Sequence, residues 1–308
     1  MRARSGYGCS VQVIAIVGPT AAGKSALSLG LATALGGEVI NCDSMQFYRG
    51  MDIGTAKLPV HERAGVPHHL LDIWPVTRTA TVAEFQTLAR DAIADVAARG
   101  RIPMLVGGTG LYLRAVLEEF AFPGTDPDVR AALEARLAAE GPGALHAELA
   151  DRDPAAAAAI LPSNGRRIVR ALEVMEITGE PFTASLPHPT PRYASVQIAV
   201  DRDDLDERTE RRVTQMWTAG LVDEVRGLVP QGLREGLTAS RALGYQQVLA
   251  YLDGSMTEEE AFTATVVGTR RFVRRQRSWF RRDPAITWLD GAREDLLAQA
   301  QKVVEGSS

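Results

Sequence analysis

The sequence predicts an α/β fold, a doubly wound parallel sheet flanked by helices and interrupted by a small all-helical insertion. Three observations carry this. Short apolar, β-branched runs alternate with helical stretches. A glycine-rich loop joins the first run to the first helix. An alanine-rich tract without a strand then breaks the alternation before it resumes.

Each element follows in order. Val11–Val17 (VQVIAIV) reads as a strand buried on both faces. The helical stretch Ala26–Leu35 follows its glycine loop. Glu38–Cys42 (EVINC) is a second short strand that ends at Asp43, and Pro67–Ile73 (PHHLLDI) holds a third. Thr81–Arg99 is amphipathic and Gly100 stops it. Ile102–Val106 is another buried strand, running into GGTG. The texture changes near Pro123. Asp126–Thr178 is alanine-rich and helical, with breaks at Gly141-Pro142 and at Pro162. Gln197–Val200 is a return strand, and Ile286–Leu289 the last one. The chain thus divides into a catalytic core over 11–122 and 191–308 and a helical insertion over 123–190.

Composition excludes several classes. A chain of 308 residues allows one large domain or two modest ones. With 45% hydrophobic and 23% charged residues, wholesale disorder is excluded. No run approaches the ~20 apolar residues of a membrane span. The N-terminal MRARSGYGCS is followed by a seven-residue apolar run and a glycine turn, too short for a signal peptide. Cys9 and Cys42 alone give neither a disulfide framework nor a metal spacing, so the cytoplasm is expected.

The net charge of −4 argues against nucleic acid only while it is averaged over the chain. Arg270–Arg282 (RRFVRRQRSWFRR) holds seven arginines and no acid, and the remainder carries 27 basic against 38 acidic residues, a net of −11. Thr257 and Glu260 form a capping-box pattern ahead of it. At helical spacing Arg270, Arg274, Arg277 and Arg281 share a stripe, with Arg271, Arg275 and Arg282 beside it. Phe262, Phe272, Val273, Trp279 and Phe280 lie opposite. One face packs, and the other is expected to be a continuous guanidinium surface suited to phosphates.

Gly18-Pro19-Thr20-Ala21-Ala22-Gly23-Lys24-Ser25 matches G-x-x-x-x-G-K-[ST] between a strand and a helix, the context of a P-loop. Its glycines let backbone amides converge on phosphate, the helix N-terminus adds partial positive charge, and Lys24 adds a full one. Ser25 is the candidate ligand of a Mg²⁺ cofactor. The motif specifies phosphate, not which phosphate. Asp43 ends the second strand at the sheet edge where such ligands bind, and can orient metal or act as a base. Thr109, in GGTG, reaches the same edge. No apolar strand closed by an acid stands out as a Walker B, which weakens an ATPase reading. His68 and His69 read as structural hydrogen-bonding groups, and Cys42 as a buried strand residue.

GPTAAGKS, NCDSMQFYRGMDIGTAK, HHLLDI, LVGGTGLYLRA, RRIVRALEV, SRALGYQQ and RRFVRRQRSWFRRD resemble, in this order, the tRNA dimethylallyltransferases, the tRNA isopentenyltransferase family. The likeness covers about residues 11–290. It implies transfer of a dimethylallyl group from dimethylallyl diphosphate to the N6 amine of the adenosine 3′ to the anticodon, in tRNAs reading codons that begin with U. The P-loop then holds a diphosphate leaving group, although such proteins are often labelled ATP-binding. The resemblance makes Asp43 the base, Thr109 a channel residue and Arg212 a diphosphate ligand. It assigns tRNA contacts to Asp43, Ser44, Met45, Gln46 and Thr109. It adds Arg130, Arg166, Arg167 and Arg170, then Arg241, Gly244, Tyr245 and Gln246, and Arg270, Arg271, Arg274, Arg275 and Arg277. The expected partners are the donor and the tRNA anticodon stem-loop, with no membrane, and the expected state is a monomer. Ser25 departs from the commoner Thr, and Gly165 from the usual Asn or Asp. The rival readings are a small-molecule ATP kinase, a transferase acting on free adenine nucleotides, and a non-catalytic RNA-binding protein. None of them accounts for the P-loop, Asp43 and the arginine segment together.

Overall fold

The computed structural model describes residues 11–119, 122–182 and 190–307; Cys9 lies outside them. Among the described residues six strands form one sheet, paired in parallel throughout, in the order β3-β2-β4-β1-β5-β6. These are β1 (Gln12–Val17), β2 (Gly37–Asn41), β3 (His68–His69), β4 (Ile102–Val106), β5 (Ala194–Asp201) and β6 (Ile286–Asp290). The third strand is far shorter than PHHLLDI suggested. Leu70 and Asp72 adopt positive φ (61° and 57°), which ends the extended run after two residues.

The helices in chain order are α1 (Lys24–Leu35), α2 (Val82–Ala98), α3 (Gly110–Leu117), α4 (Pro127–Arg152), α5 (Pro154–Ala159), α6 (Gly165–Thr178), α7 (Leu205–Thr218), α8 (Leu221–Leu228), α9 (Tyr245–Leu252), α10 (Glu258–Phe280) and α11 (Leu296–Glu305). Contacts divide the chain into two compact units, 1–117 with 192–308, and 118–191. The boundaries fall beside Leu117 and Arg192, a few residues from those read in the sequence.

In the first unit, side-chain alternation along β1 places Val13, Ala15 and Val17 in one apolar layer and Ile14 and Ile16 in the other. The first layer packs on Phe85, Ala89 and Ile93 of α2 and on Tyr112 of α3. The second packs on Leu27 and Leu31 of α1 and on Val304 of α11. Burial on both faces explains why β1 reads as one apolar run. It also leaves the carboxyl ends of the strands as the place where polar chemistry collects.

The second unit has its own core of Leu133, Leu145, Leu149, Ile168 and Leu172. Gly141, at φ 81° and ψ 165°, kinks α4 ahead of Pro142. A further break, without a glycine, falls at Asp153 between α4 and α5. Its carboxylate caps α5 by accepting from Ala156 N at 3.0 Å, with Pro154 as the first helical residue.

Candidate active site

The loops after β1, β2 and β4 converge on a cavity of about 220 Å³. The P-loop forms one wall. Gly18 turns at φ 124°, and a Cβ there would lie 2.3 Å from the Val200 carbonyl, so glycine alone fits. Gly23 (φ 107°) then delivers the chain into α1, whose first residue is Lys24. Lys24 Nζ donates to the Pro19 carbonyl at 2.7 Å, inside the loop's own curl. Ser25, Thr20 and Ala21 line the same cavity.

The second wall comes from β2. Asn41 is buried, accepts from the Asp43 amide at 2.9 Å and donates to the carbonyls of Asp43 and Leu70, both at 3.0 Å. These bonds fix the backbone of Asp43 at the strand's end. Asp43 Oδ1 caps the short turn Ser44–Phe47 by accepting from Met45 N at 3.0 Å. Oδ2 takes no part in that cap, and Asp43 faces the cavity. Gln46 lines it too, and its amide donates to the Thr55 carbonyl at 3.1 Å. Ser44 is partly buried, and Met45 packs against the core.

The third wall is cationic. Arg208 and Arg212 sit one helical turn apart on α7 and both line the cavity. Arg208 Nε donates to the P-loop carbonyl of Ala21 at 2.8 Å, and Arg212 Nη2 donates to the Thr55 carbonyl at 3.4 Å. Burial, and after it the neighbouring Arg212 charge, lowers the Lys24 pKa to about 8, with Asp43 opposing both. Burial likewise lowers that of Arg212, with Asp43 opposing and Arg208 adding to the shift. Three cations therefore share a small, largely desolvated space with one carboxylate. Such a space is stable when an anion enters it.

Several expected site residues sit elsewhere. Thr109 is one residue beyond the cavity lining, which ends at Gly107 and Gly108; its carbonyl accepts from Tyr112 N and Leu113 N as α3 begins. Tyr245 is fully buried, and its hydroxyl donates to Glu224 Oε1, so its side chain has no surface to offer RNA. Burial, then the Glu224 charge, pushes its hydroxyl pKa far upward. Gly244 is buried at φ 88° as the N-cap of α9. Arg241 and Gln246 are exposed.

The guanidinium surface is narrower than the helical wheel implied. Arg277 Nε meets both Asp201 carboxylate oxygens, at 2.7 and 3.0 Å, and its guanidinium also donates to the Arg202 carbonyl. Arg281 contacts Asp201 at 3.3 Å, and Arg270 pairs with Glu210 at 2.7 Å. Acids from β5 and α7, distant in sequence, supply the countercharge missing from the segment itself. Arg271, Arg274, Arg275 and Arg282 remain exposed. Asp201 also closes an apolar strand, Val196–Val200, the pattern not picked out in the sequence. Its carboxylate is held by two arginines, beside a wider depression of about 410 Å³ near Trp288.

In the second unit Glu173 is fully buried and meets Arg130, and Arg170 at 2.8 Å. Arg170 also donates to the carbonyls of Pro123 and Gly124. These two arginines hold the helices together. Arg166 and Arg167 are exposed. His68 Nδ1 bonds the Val66 carbonyl (2.8 Å) and His69 Nε2 bonds Glu38 (2.7 Å), as structural histidines do. Cys42 is buried, which pushes its thiol pKa upward. Sequence reading missed Asn41, Arg208 and Gln276, all of which line the cavity. For Arg208 the i, i+4 spacing to Arg212 was an available signal.

Residues 46–283 match the IPP transferase family model, and residues 11–79 match that of isopentenyl transferases. A tRNA dimethylallyltransferase of Salinispora tropica is 68% identical over 95% of this chain and 92% of its own length. One from Streptomyces avermitilis is 66% identical over 94% of both chains. The crystal structure of a tRNA isopentenylpyrophosphate transferase from Bacillus halodurans covers 96% of each chain at 43% identity and a TM-score of 0.73. A eukaryotic dimethylallyltransferase captured acting on tRNA aligns at a TM-score of 0.82 and 28% identity, over 96% of this chain and 78% of its own. With a cavity built from a P-loop, a strand-end aspartate and paired arginines, the chain belongs to the IPP transferase family of prenyl-transferring enzymes.

Proposed function

We propose that the protein transfers a dimethylallyl group from dimethylallyl diphosphate to the N6 amine of the adenosine 3′ to the anticodon, in tRNAs reading codons that begin with U. The observation that carries this is the convergence of Lys24, Arg208 and Arg212 around one carboxylate, Asp43, in a single cavity. A diphosphate satisfies the cations, and an amine placed at Asp43 supplies the acceptor.

An adenine amine is a weak nucleophile, so the leaving group must depart readily. P-loop amides, Lys24 and the two α7 arginines stabilise charge as the carbon–oxygen bond to diphosphate breaks. The new bond forms between N6 and the allylic C1. The surplus N6 proton passes to Asp43, a role in which a placed base contributes ~10²–10⁴-fold. Thr109 lies just past the cavity rim and would touch the acceptor base, not the donor.

A Mg²⁺ ion suits the Ser25 hydroxyl, which shares the cavity with Lys24, together with diphosphate oxygens. Among the described residues no group of three or more His, Cys, Asp or Glu could hold a metal, so substrate oxygens would complete its shell. The ion would add Lewis-acid stabilisation of the leaving charge. The exposed Arg166, Arg167, Arg241, Arg271, Arg274 and Arg275 would contact the anticodon stem-loop. No helix among the described residues is long and apolar enough to cross a membrane, and the proposed working form is a cytoplasmic monomer.

The direct test incubates the protein with dimethylallyl diphosphate, Mg²⁺ and unmodified tRNA. The expected result is a prenylated adenosine beside the anticodon, located by nuclease mass mapping. Transfer of a labelled γ-phosphate from ATP to a small acceptor, with no change to tRNA, would overturn the reading.

A further inference from the structure

Helix α10 carries one long polar side chain that turns inward. Gln276 stands between Arg275 and Arg277 yet is only 6% exposed. Its Oε1 accepts from the Thr20 amide at 2.9 Å, and its Nε2 donates to the Gly108 carbonyl at 2.9 Å. Thr20 belongs to the P-loop and Gly108 to the loop after β4, and all three residues line the cavity. One partner is a donor and the other an acceptor, so at neutral pH the two bonds suit a primary amide of this length. Gly108 leaves the room for it: a Cβ there would lie 2.1 Å from Nε2. One turn on, Trp279 covers Gly110, where a Cβ would sit 2.1 Å from its ring.

We infer that Gln276 is a positioning residue for the donor site. It sets the spacing between the P-loop and the Gly107–Gly108 loop, and so the register of a bound diphosphate against Asp43. The inference rests on the proposed reading of the cavity as a diphosphate site. Without the amide, the Thr20 N–H and the Gly108 carbonyl lose their partners inside the fold. Both loops are then free to drift, and displacements near 1 Å at a reacting centre can cost ~10²-fold in rate.

The experiment uses the full chain with Gln276→Met, which keeps the side-chain length and removes both bonds, and Gln276→Glu. Four quantities are measured: binding of inorganic diphosphate by calorimetry, kcat and KM for dimethylallyl diphosphate, tRNA affinity, and Tm. For Gln276→Met, diphosphate affinity should fall and donor KM rise, each about tenfold. The kcat should drop by a similar factor while tRNA affinity stays within twofold. The glutamate variant can donate to the Gly108 carbonyl only when protonated. Its activity relative to wild type at the same pH should therefore recover as pH falls. A purely structural role would lower Tm and leave KM and this pH limb unmoved.

Wild-type diphosphate binding and kinetics in Gln276→Met would overturn the inference, as would a loss confined to tRNA affinity. If that variant does not fold, the pH limb of Gln276→Glu decides. If the wild type binds no diphosphate, the reading of the cavity fails first. If it does and Gln276→Met binds equally well, only the positioning role falls.

Discussion

Arg212 on α7 and Arg277 on α10 are both arginines partly sunk into the protein. Arg277 meets a carboxylate through two close contacts and a backbone carbonyl besides. Among the described residues Arg212 makes a long bond to a carbonyl and shares its cavity with Lys24 and Arg208. One cation is neutralised by the fold, and the other faces the cavity. A count of arginines therefore says little about binding until the acids that reach them are known. Those acids come from elsewhere in the chain, as Asp201 and Glu210 do.

The sharpest way to probe the unneutralised region is Asp43→Asn. Asparagine can still cap the Ser44–Phe47 turn through its carbonyl oxygen, but it cannot accept a proton. Transfer should fall ~10²–10⁴-fold with tRNA affinity and Tm unchanged. Turnover at the wild-type rate would remove Asp43 from the chemistry. The neutralised kind of site responds in stability instead. Glu173→Ala strands Arg130 and Arg170, and should destabilise the second unit by about 3 kcal/mol. That is the low end for a broken buried pair, because both arginines keep some solvent. Urea titration followed in the second unit checks this, and a loss below about 1 kcal/mol would show the cluster to be peripheral.

The same contrast exists within α10. Arg274→Ala with Arg275→Ala removes exposed charge and should flatten the salt dependence of tRNA binding, by roughly 0.7–0.9 in log–log slope per lost phosphate contact. Arg277→Ala should change that slope little and lower Tm. If Arg277→Ala flattened the slope as strongly, Asp201 would not be neutralising it. The smallest effect concerns Lys24. Its pKa in the free protein is lowered to about 8, first by burial and then by Arg212, and a bound diphosphate would favour its charged form. Donor affinity should therefore be level below pH 8 and fall as pH rises beyond it, by at most tenfold per pH unit. Calorimetry with dimethylallyl diphosphate alone reads this, and a flat profile from pH 7 to 9.5 would contradict it.

Local patterns carried most of the fold. The β1–P-loop–α1 unit, the Thr257–Glu260 capping box and the kink at Gly141 all depend on neighbours close in sequence, and each formed where its pattern lies. Lys24 and Asp43 were legible for the same reason: strand ends mark the ligand edge of a parallel sheet. What escaped was long-range. Gln276 reaches the P-loop across 256 positions, and its inward direction cannot be seen among seven flanking guanidinium groups. Asp201 neutralises Arg277 from 76 positions away. Tyr245 sat in a motif that resemblance tied to tRNA, yet burial against Glu224 gives it a structural duty.

That glutamate has a further consequence. Its carboxylate accepts from three successive backbone amides, those of Asp52 and Ile53 on one oxygen and Gly54 on the other, at 3.0, 2.7 and 3.1 Å, and from the Tyr245 hydroxyl. The protein thus builds two anion cradles and fills one of them with its own side chain. A Glu224→Ala variant would uncover the second cradle, and millimolar acetate or formate should restore through chemical rescue the loop that Glu224 now holds.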